Sequence, residues 1–429
     1  MNTEITNEQL QKLSLSLSKS NEIKLVSGLT TRLDVIFKNK SKYSKISTNK
    51  QLALDKTFIV LSNLTSTIFR EDSDSYWKNL NSNLLLTQVG VSYSAILKLL
   101  SYHSIIDIDL AYSVGEHSRA YKLTNECLSD KVVVYKIKSQ TIINQRNAEF
   151  FEELKGVLKN TIANNLVHIY PSLELPTISE IEAEGKRLHK LKAKTSKGKT
   201  ITFDVKRNKD KFSKDVERSF VSDAIKRFKY LTESGFVIPK KGSERSGGRV
   251  VDSFNLCNKW IRNLIKIDGK KLVELDFSCL HPNISNQIYG GTGNNITHKI
   301  VAEYLNIDIK EAKVLNLTFF NLEPVVMKSS KLYNYYADNE PVMLSNILQD
   351  KNNQSFEKHK NKSRRFPITS TRMFSTEVLL MTKILEELNN TGIYALYIYD
   401  ALMFQEDDIK EAKEVMNRIA AQMGINTTI

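Results

Sequence analysis

The chain has 429 residues, 41% of them hydrophobic, and a formal charge of +14. That length exceeds one ordinary core and predicts two or three domains, and the positive balance predicts a polyanionic partner, with nucleic acid or a membrane surface as the candidates. Cys127, Cys257 and Cys279 lie far apart with no Cys-x-x-Cys pairing, which excludes a disulfide framework and a zinc cluster and leaves reduced thiols.

Residues 1–55 mix polar helix formers with Lys and Ser and read as a helical lead-in. The start, Met1 to Thr6, lacks the basic and apolar regions of a signal peptide, and no uninterrupted apolar run reaches the length of a membrane span. A cytoplasmic protein with no membrane partner is expected. In residues 56–145, Ser92 to Leu100 has apolar residues at helical spacing and Ile105 to Leu110 alternates as a strand. A Gly-containing tip from Ser113 to Arg119 then leads to a second short strand, Ala120 to Leu123. Helix, strand, basic tip and strand in that order predict a winged helix, serving either to bind nucleic acid or as a small interaction domain. Asp107 and Asp109 read as strand residues facing solvent.

Residues 146–241 read as a basic, thumb-like helical region, with Ala148 to Val167 its clearest periodic segment. The basic run Lys186 to Lys199, continued by Lys206 to Lys211, is either a solvated face or a grip on phosphates whose strength would fall with salt. In residues 242–429, two strand-like runs, Lys271 to Asp276 and Ile393 to Asp400, each end on a carboxylate. Asp400 should sit near the turn of a tight hairpin that continues through Leu402 and Phe404. Asp308 to Phe319 reads as a helix, and Gly290-Gly-Thr-Gly293 lacks the context of a phosphate loop and reads as a turn.

Several of these segments resemble family A DNA polymerases. Gly248-Arg249, Asn255-Leu-Cys-Asn258 and Arg262 resemble the Gly-Arg, Asn-Leu-x-Asn and Arg segment that precedes the first palm strand, with the Arg-to-Asn spacing one residue shorter. Asp276-Phe-Ser resembles the family's Asp-Tyr-Ser motif, and the run on to Ile284 is also similar to the first palm motif of family B. Lys310-Glu-Ala-Lys313-Val-Leu-Asn316 resembles the fingers helix, with Ile309 in place of an Arg. Pro367 to Thr371, the helix from Arg372 to Leu388, Gly392 and Tyr399-Asp400-Ala401 resemble the last block, in which a His usually precedes the Asp.

The resemblance covers residues 247–429 and implies an α+β protein. It would combine a polymerase palm with short fingers, an N-terminal winged helix and a helical linker domain, as in replication proteins of phages and plasmids. The implied activity is template-directed nucleotidyl transfer. Asp276 and Asp400 would hold two Mg²⁺ ions, with Mn²⁺ as a substitute, and the primer 3′-hydroxyl would attack the α-phosphate of the incoming nucleotide. Lys313 would neutralise the leaving phosphates, with Lys310, His281 and Asn316 completing the nucleotide site. Arg249, Asn255, Asn258, Arg262 and Tyr399 would contact DNA. His281 stands where family A carries a Glu and family B a Tyr against the ribose, so it reads either as a sugar wall or as a structural helix cap. The implied partners are primer-template DNA and nucleoside triphosphates, with RNA as an alternative template or primer. A primase or RNA polymerase on the same palm, or a non-catalytic replication initiator or defence protein, are the rival readings.

Overall fold

The computed structural model describes residues 14–69, 76–109, 118–129, 131–195, 200–203, 219–357 and 368–429. Most of the expected wing tip, the Lys206 to Lys211 run, the end of the Lys186 to Lys199 run and Pro367 lie outside the described residues. The chain is mixed α+β, with helices and small antiparallel sheets. It forms two compact units, one of Met1–Lys155 with Pro176–Val237 and one of Gly156–Leu175 with Ile238–Ile429.

In the first unit the lead-in is more than helical. Strand Glu22–Val26 pairs antiparallel with Val132–Lys136, and Leu25, Val26, Leu29 and Leu33 enter one core with Phe58, Leu61, Ile96 and Leu100. Residues 14–55 therefore fold with the segment expected to be a separate domain. Strand formation wins here because Ile23, Leu25 and Val26 bury their side chains against the helix Lys50–Thr65. That helix is capped by Asn49, which accepts from the Leu52 amide at 3.0 Å. Its buried Asp55 accepts from Tyr135 Oη at 2.7 Å and from the Lys138 and Ser139 amides at 3.1 and 2.6 Å, tying the strand to the start of the next helix.

The helix at Tyr93–Tyr102 and the strands Ile106–Asp109 and Ala120–Leu123 match the predicted order, and Lys78–Asn79 adds a third strand beside Ala120–Leu123. Asp107 and Asp109 are exposed, Asp107 pairing with Lys122 at 3.4 Å. One correction concerns apolar length. Ser82–Tyr102 spans 21 residues and contains an 18-residue window of mean hydropathy 1.4, enough by length and composition to cross a membrane. Interspersed Ser, Asn, Thr and Gln conceal it as a continuous run. The segment is broken at Gly90, whose φ of 71° stops the first helix, and Leu85, Val89, Ile96 and Leu100 are buried in the unit's core.

The second unit is organised around a three-stranded antiparallel sheet of β1 (Val273–Asp276), β2 (Leu396–Ile398) and β3 (Ala401–Phe404), in the order β1-β3-β2. Its helices include α1 (Leu280–Ile288), α2 (Ile309–Phe319) and α3 (Ile368–Asn390). Helix α3 buries Met373, Glu377, Leu380, Met381, Ile384, Leu385 and Leu388, a stripe at spacings of three and four that defines one helical face. Thr161–Ile169, expected in the thumb-like region, belongs instead to this unit. Its buried Asn165 donates to Ala395 O at 2.7 Å and accepts from the Ala395 amide at 3.0 Å, bracketing the backbone just before β2. Gly290-Gly-Thr-Gly293 is a turn, held by Glu340, which accepts from the Thr292 amide and hydroxyl at 2.7 and 2.6 Å.

Candidate active site

Two chain reversals place the carboxylates. β1 ends at Asp276, after which Cys279 takes a left-handed φ of 54° and starts α1. Ile398 pairs with Ala401, so Tyr399 and Asp400 form a two-residue hairpin loop with Tyr399 at φ 62°. A bulky aromatic in that region is strained by about 1–3 kcal/mol and persists only when its surroundings hold it. The sheet register sets Asp276 opposite Ala401, the residue after Asp400. Cross-strand and along-chain Cα spacings then limit the Asp276 to Asp400 Cα distance to about 9 Å.

Their electrostatics agree with that proximity. Asp276 is pushed up to about 6, first by desolvation and next by the negative charges of Asp400 and Glu274, with Lys313 and Lys259 opposing. Asp400 is also raised, first by burial and then by the charge of Glu377, against His281 and Arg249. Lys313 is exposed on α2, and its charge reaches Asp276. Lys310 is exposed one turn earlier, its amide donating to the capping Asp308 at 2.7 Å.

Arg249 arrives through a close approach of backbones. Gly247 and Gly248 have φ of 63° and 79°, and a Cβ on Gly247 would lie 2.4 Å from backbone atoms of Phe374 and Ser375 on α3. Only glycine fits there. The Arg249 Nε then donates to Glu377 Oε1 at 2.8 Å, and its Nη2 donates to Glu377 Oε2. The guanidinium carbon lies 3.8 Å from the Phe374 ring centroid and 4.9 Å from that of Tyr399. His281 Nε2 lies 2.7 Å from Glu377 Oε2 and 3.2 Å from Arg249 Nη2. A nitrogen so close to a carboxylate oxygen must carry the proton, so Nε2 is the donor in this pair. Burial acts most strongly on Glu377 and pushes it upward, but the hydrogen bonds and charges of His281 and Arg249 outweigh burial and hold it below the usual range.

The predicted site residues divide accordingly. Asp276, Asp400, Lys313, Arg249, His281 and Tyr399 meet through contacts or electrostatic reach. His281 makes no side-chain cap of α1; it is a partner of Glu377. Three residues expected at ligands are engaged within the protein. Asn316 is buried, accepting from Tyr336 Oη at 2.6 Å and donating to Ala312 O at 3.1 Å, so it fastens α2 to its surroundings. Arg262 is buried and donates to Cys257 O at 2.7 Å and Phe254 O at 3.3 Å. Asn255 accepts from the Asp252 amide at 3.0 Å and donates to Tyr397 O at 2.8 Å, tying its loop to β2. Asn258 is half-buried at the N-cap of Lys259–Arg262, without a side-chain capping bond. Glu377 and Phe374 went unrecognised in the sequence, although an acid on the apolar stripe of α3 is a legible anomaly.

The donor set suits a divalent cation in one respect. Asp276 is exposed and Asp400 half-buried, both carboxyls are raised, and the charge of Asp400 that acts on Asp276 is one a cation would offset. Among the described residues no group of three His, Cys, Asp or Glu side chains could hold a metal. Mg²⁺ takes one or two protein carboxylates and fills its shell with water and substrate phosphates, so it is the ion that such a pair would suit.

No protein-family model and no curated protein matches the chain. Among solved structures, the POL domain of Pol1 from M. smegmatis in complex with DNA primer-template and dNTP is similar at 11% identity and a TM-score of 0.40. The match covers 66% of this chain and 72% of that one. A superposition that loose carries no argument about function.

Proposed function

We propose that the chain is a template-directed nucleotidyltransferase, a DNA polymerase resembling family A, that extends a primer with nucleoside triphosphates. The supporting observation is the register that pairs Asp276 with Ala401 and so brings Asp276 beside the Tyr399-Asp400 turn. In this reading the second unit is a palm, and the helix and hairpin of the first unit are a winged helix that binds DNA.

Asp276 and Asp400 would hold Mg²⁺. When bound, such ions supply activation of a hydroxyl nucleophile and neutralisation of phosphate charge. The chain's own contribution is orientation and fixed charge. Lys313, exposed and within reach of Asp276, would hold the phosphates that depart, stabilising charge that builds up during transfer. Lys310 would add a second, less directed cation. Arg249, clamped and stacked beside Asp400, would contact the primer strand.

Incubation with Mg²⁺, a labelled primer on a template and either deoxynucleotides or ribonucleotides tests the reading. Extension by wild type that is lost in Asp276→Ala and Asp400→Ala is expected. DNA binding without extension by either sugar would instead favour a replication initiator or defence protein whose palm is only a scaffold.

A further inference from the structure

We propose that Glu377 is a positioning residue that acts through Arg249. This inference rests on the nucleotidyl-transfer reading of the site. Glu377 is fully buried on the core stripe of α3, a place that an apolar side chain would fill without desolvating a charge. Buried ion pairs of this kind rarely add stability over apolar packing, so its presence calls for another role. What it does is immobilise a cation. Both carboxylate oxygens accept from Arg249, through Nε and Nη2, while Phe374 and Tyr399 lie 3.8 and 4.9 Å from the guanidinium carbon. A fork held at two nitrogens and flanked by two rings has little freedom to rotate. Its remaining nitrogen, Nη1, has no hydrogen bond among the described residues.

Arg249 also bears electrostatically on Asp400 and packs on the strained Tyr399, so the clamp steadies the carboxylate turn as well as the guanidinium. Glu377 thus fixes the direction in which Arg249 presents Nη1 to a hydrogen-bond acceptor of the primer strand. His281 closes the arrangement by donating to Glu377, which orients its ring at the start of α1.

The test is a double-mutant cycle of wild type, Glu377→Gln, Arg249→Ala and the double variant. Each is first checked for a cooperative thermal transition, then measured for kcat, KM and primer-template affinity. Glu377→Gln keeps the shape but gives up the charge-assisted fork, and a loss of about tenfold or more in kcat/KM is expected, as a slightly misplaced group produces. In the Arg249→Ala background the same change should cost almost nothing. Additive losses, or a folded Glu377→Gln at wild-type activity, overturn the proposal. Should Glu377→Gln fail to fold, Arg249→Lys takes its place; it keeps the charge pair but cannot form the fork, and must lose kcat/KM comparably. Primer-template affinity without nucleotide separates this idea from the activity on which it rests. A wild type that extends no primer, yet shows the non-additive pattern in binding, overturns nucleotidyl transfer and keeps the positioning role. Extension with additive losses does the reverse.

Discussion

Tyr170 donates its buried hydroxyl to Asp252 Oδ2 at 2.8 Å, joining two segments 82 residues apart in sequence. The other carboxylate oxygen of Asp252 accepts from the Phe254 and Asn255 amides at 3.0 and 2.8 Å. Asp252 therefore shapes the loop from which Asn255 reaches the backbone of β2, just before the Tyr399-Asp400 turn. Burial raises its pKa to about 6, against the hydrogen bonds from Asn255, Tyr170 and Phe254.

A raised carboxylate makes the folded state the tighter proton binder. The stability it contributes is full below about pH 4, falls as pH rises to about 6, and is then level, a span worth about 3 kcal/mol. Asp252→Asn removes the titration. The difference in urea unfolding free energy between variant and wild type should shift by that amount between pH 4 and 7, in favour of the variant at the higher pH. A difference that stays constant across the window would refute the assignment.

Gly291 is the tightest point of the turn that buried Asn286 and Glu340 hold. A Cβ there would lie 2.5 Å from Asn286 Oδ1 and 2.7 Å from Glu340 Oε2, both already engaged in hydrogen bonds. Gly291→Ala should destabilise by about 1–3 kcal/mol in denaturant unfolding, whereas alanine at Gly269 meets nothing within 4 Å but must adopt φ 72°. The first acts through collision, the second through backbone strain. Relief by shortening a colliding partner, as in Gly291→Ala with Glu340→Asp, would belong to Gly291 alone.

The two strands that run out at Asp276 and Asp400 were legible because alternation and a following turn are local signals. The lysines of α2 were legible for the same reason, as was the Gly-Gly before Arg249. The fates of Asn255, Arg262 and Asn316 were not. A polar side chain reads alike in sequence whether it points at a ligand or at a carbonyl far along the chain, and Asn255 finds its partner 142 residues away. Strand Glu22–Val26 was missed because its pairing partner lies beyond residue 130, outside any local window. Glu377 was passed over since a single acid on a helix normally faces water.

Tyr397 has a buried hydroxyl with no hydrogen-bond partner among the described residues, on the strand that leads to Asp400. Desolvation raises its pKa well above the ordinary phenol value, so it stays protonated. An unmet buried polar group costs about 1–3 kcal/mol, and Tyr397→Phe removes it without a cavity. The variant should melt at or above the wild-type temperature. Unchanged primer extension would mark the hydroxyl as mere cost, and a fall in kcat in the more stable protein would mark it as a group that substrate satisfies.

The carboxylate pair makes the opposite trade. Asp276 and Asp400 are both raised above their ordinary range, so the ionised pair strains the folded state in the absence of a cation. Asp276→Asn keeps the shape and removes one charge, and without divalent ions it should melt above wild type. Added Mg²⁺ should raise the melting temperature of wild type by mass action and leave the variant nearly unmoved, closing the gap as concentration increases. Primer extension by the variant should be lost at every Mg²⁺ concentration. A variant that melts below wild type without metal, or that gains as much from Mg²⁺, would mean that the two acids are not held together as a cation site, and the proposed chemistry would fall with it.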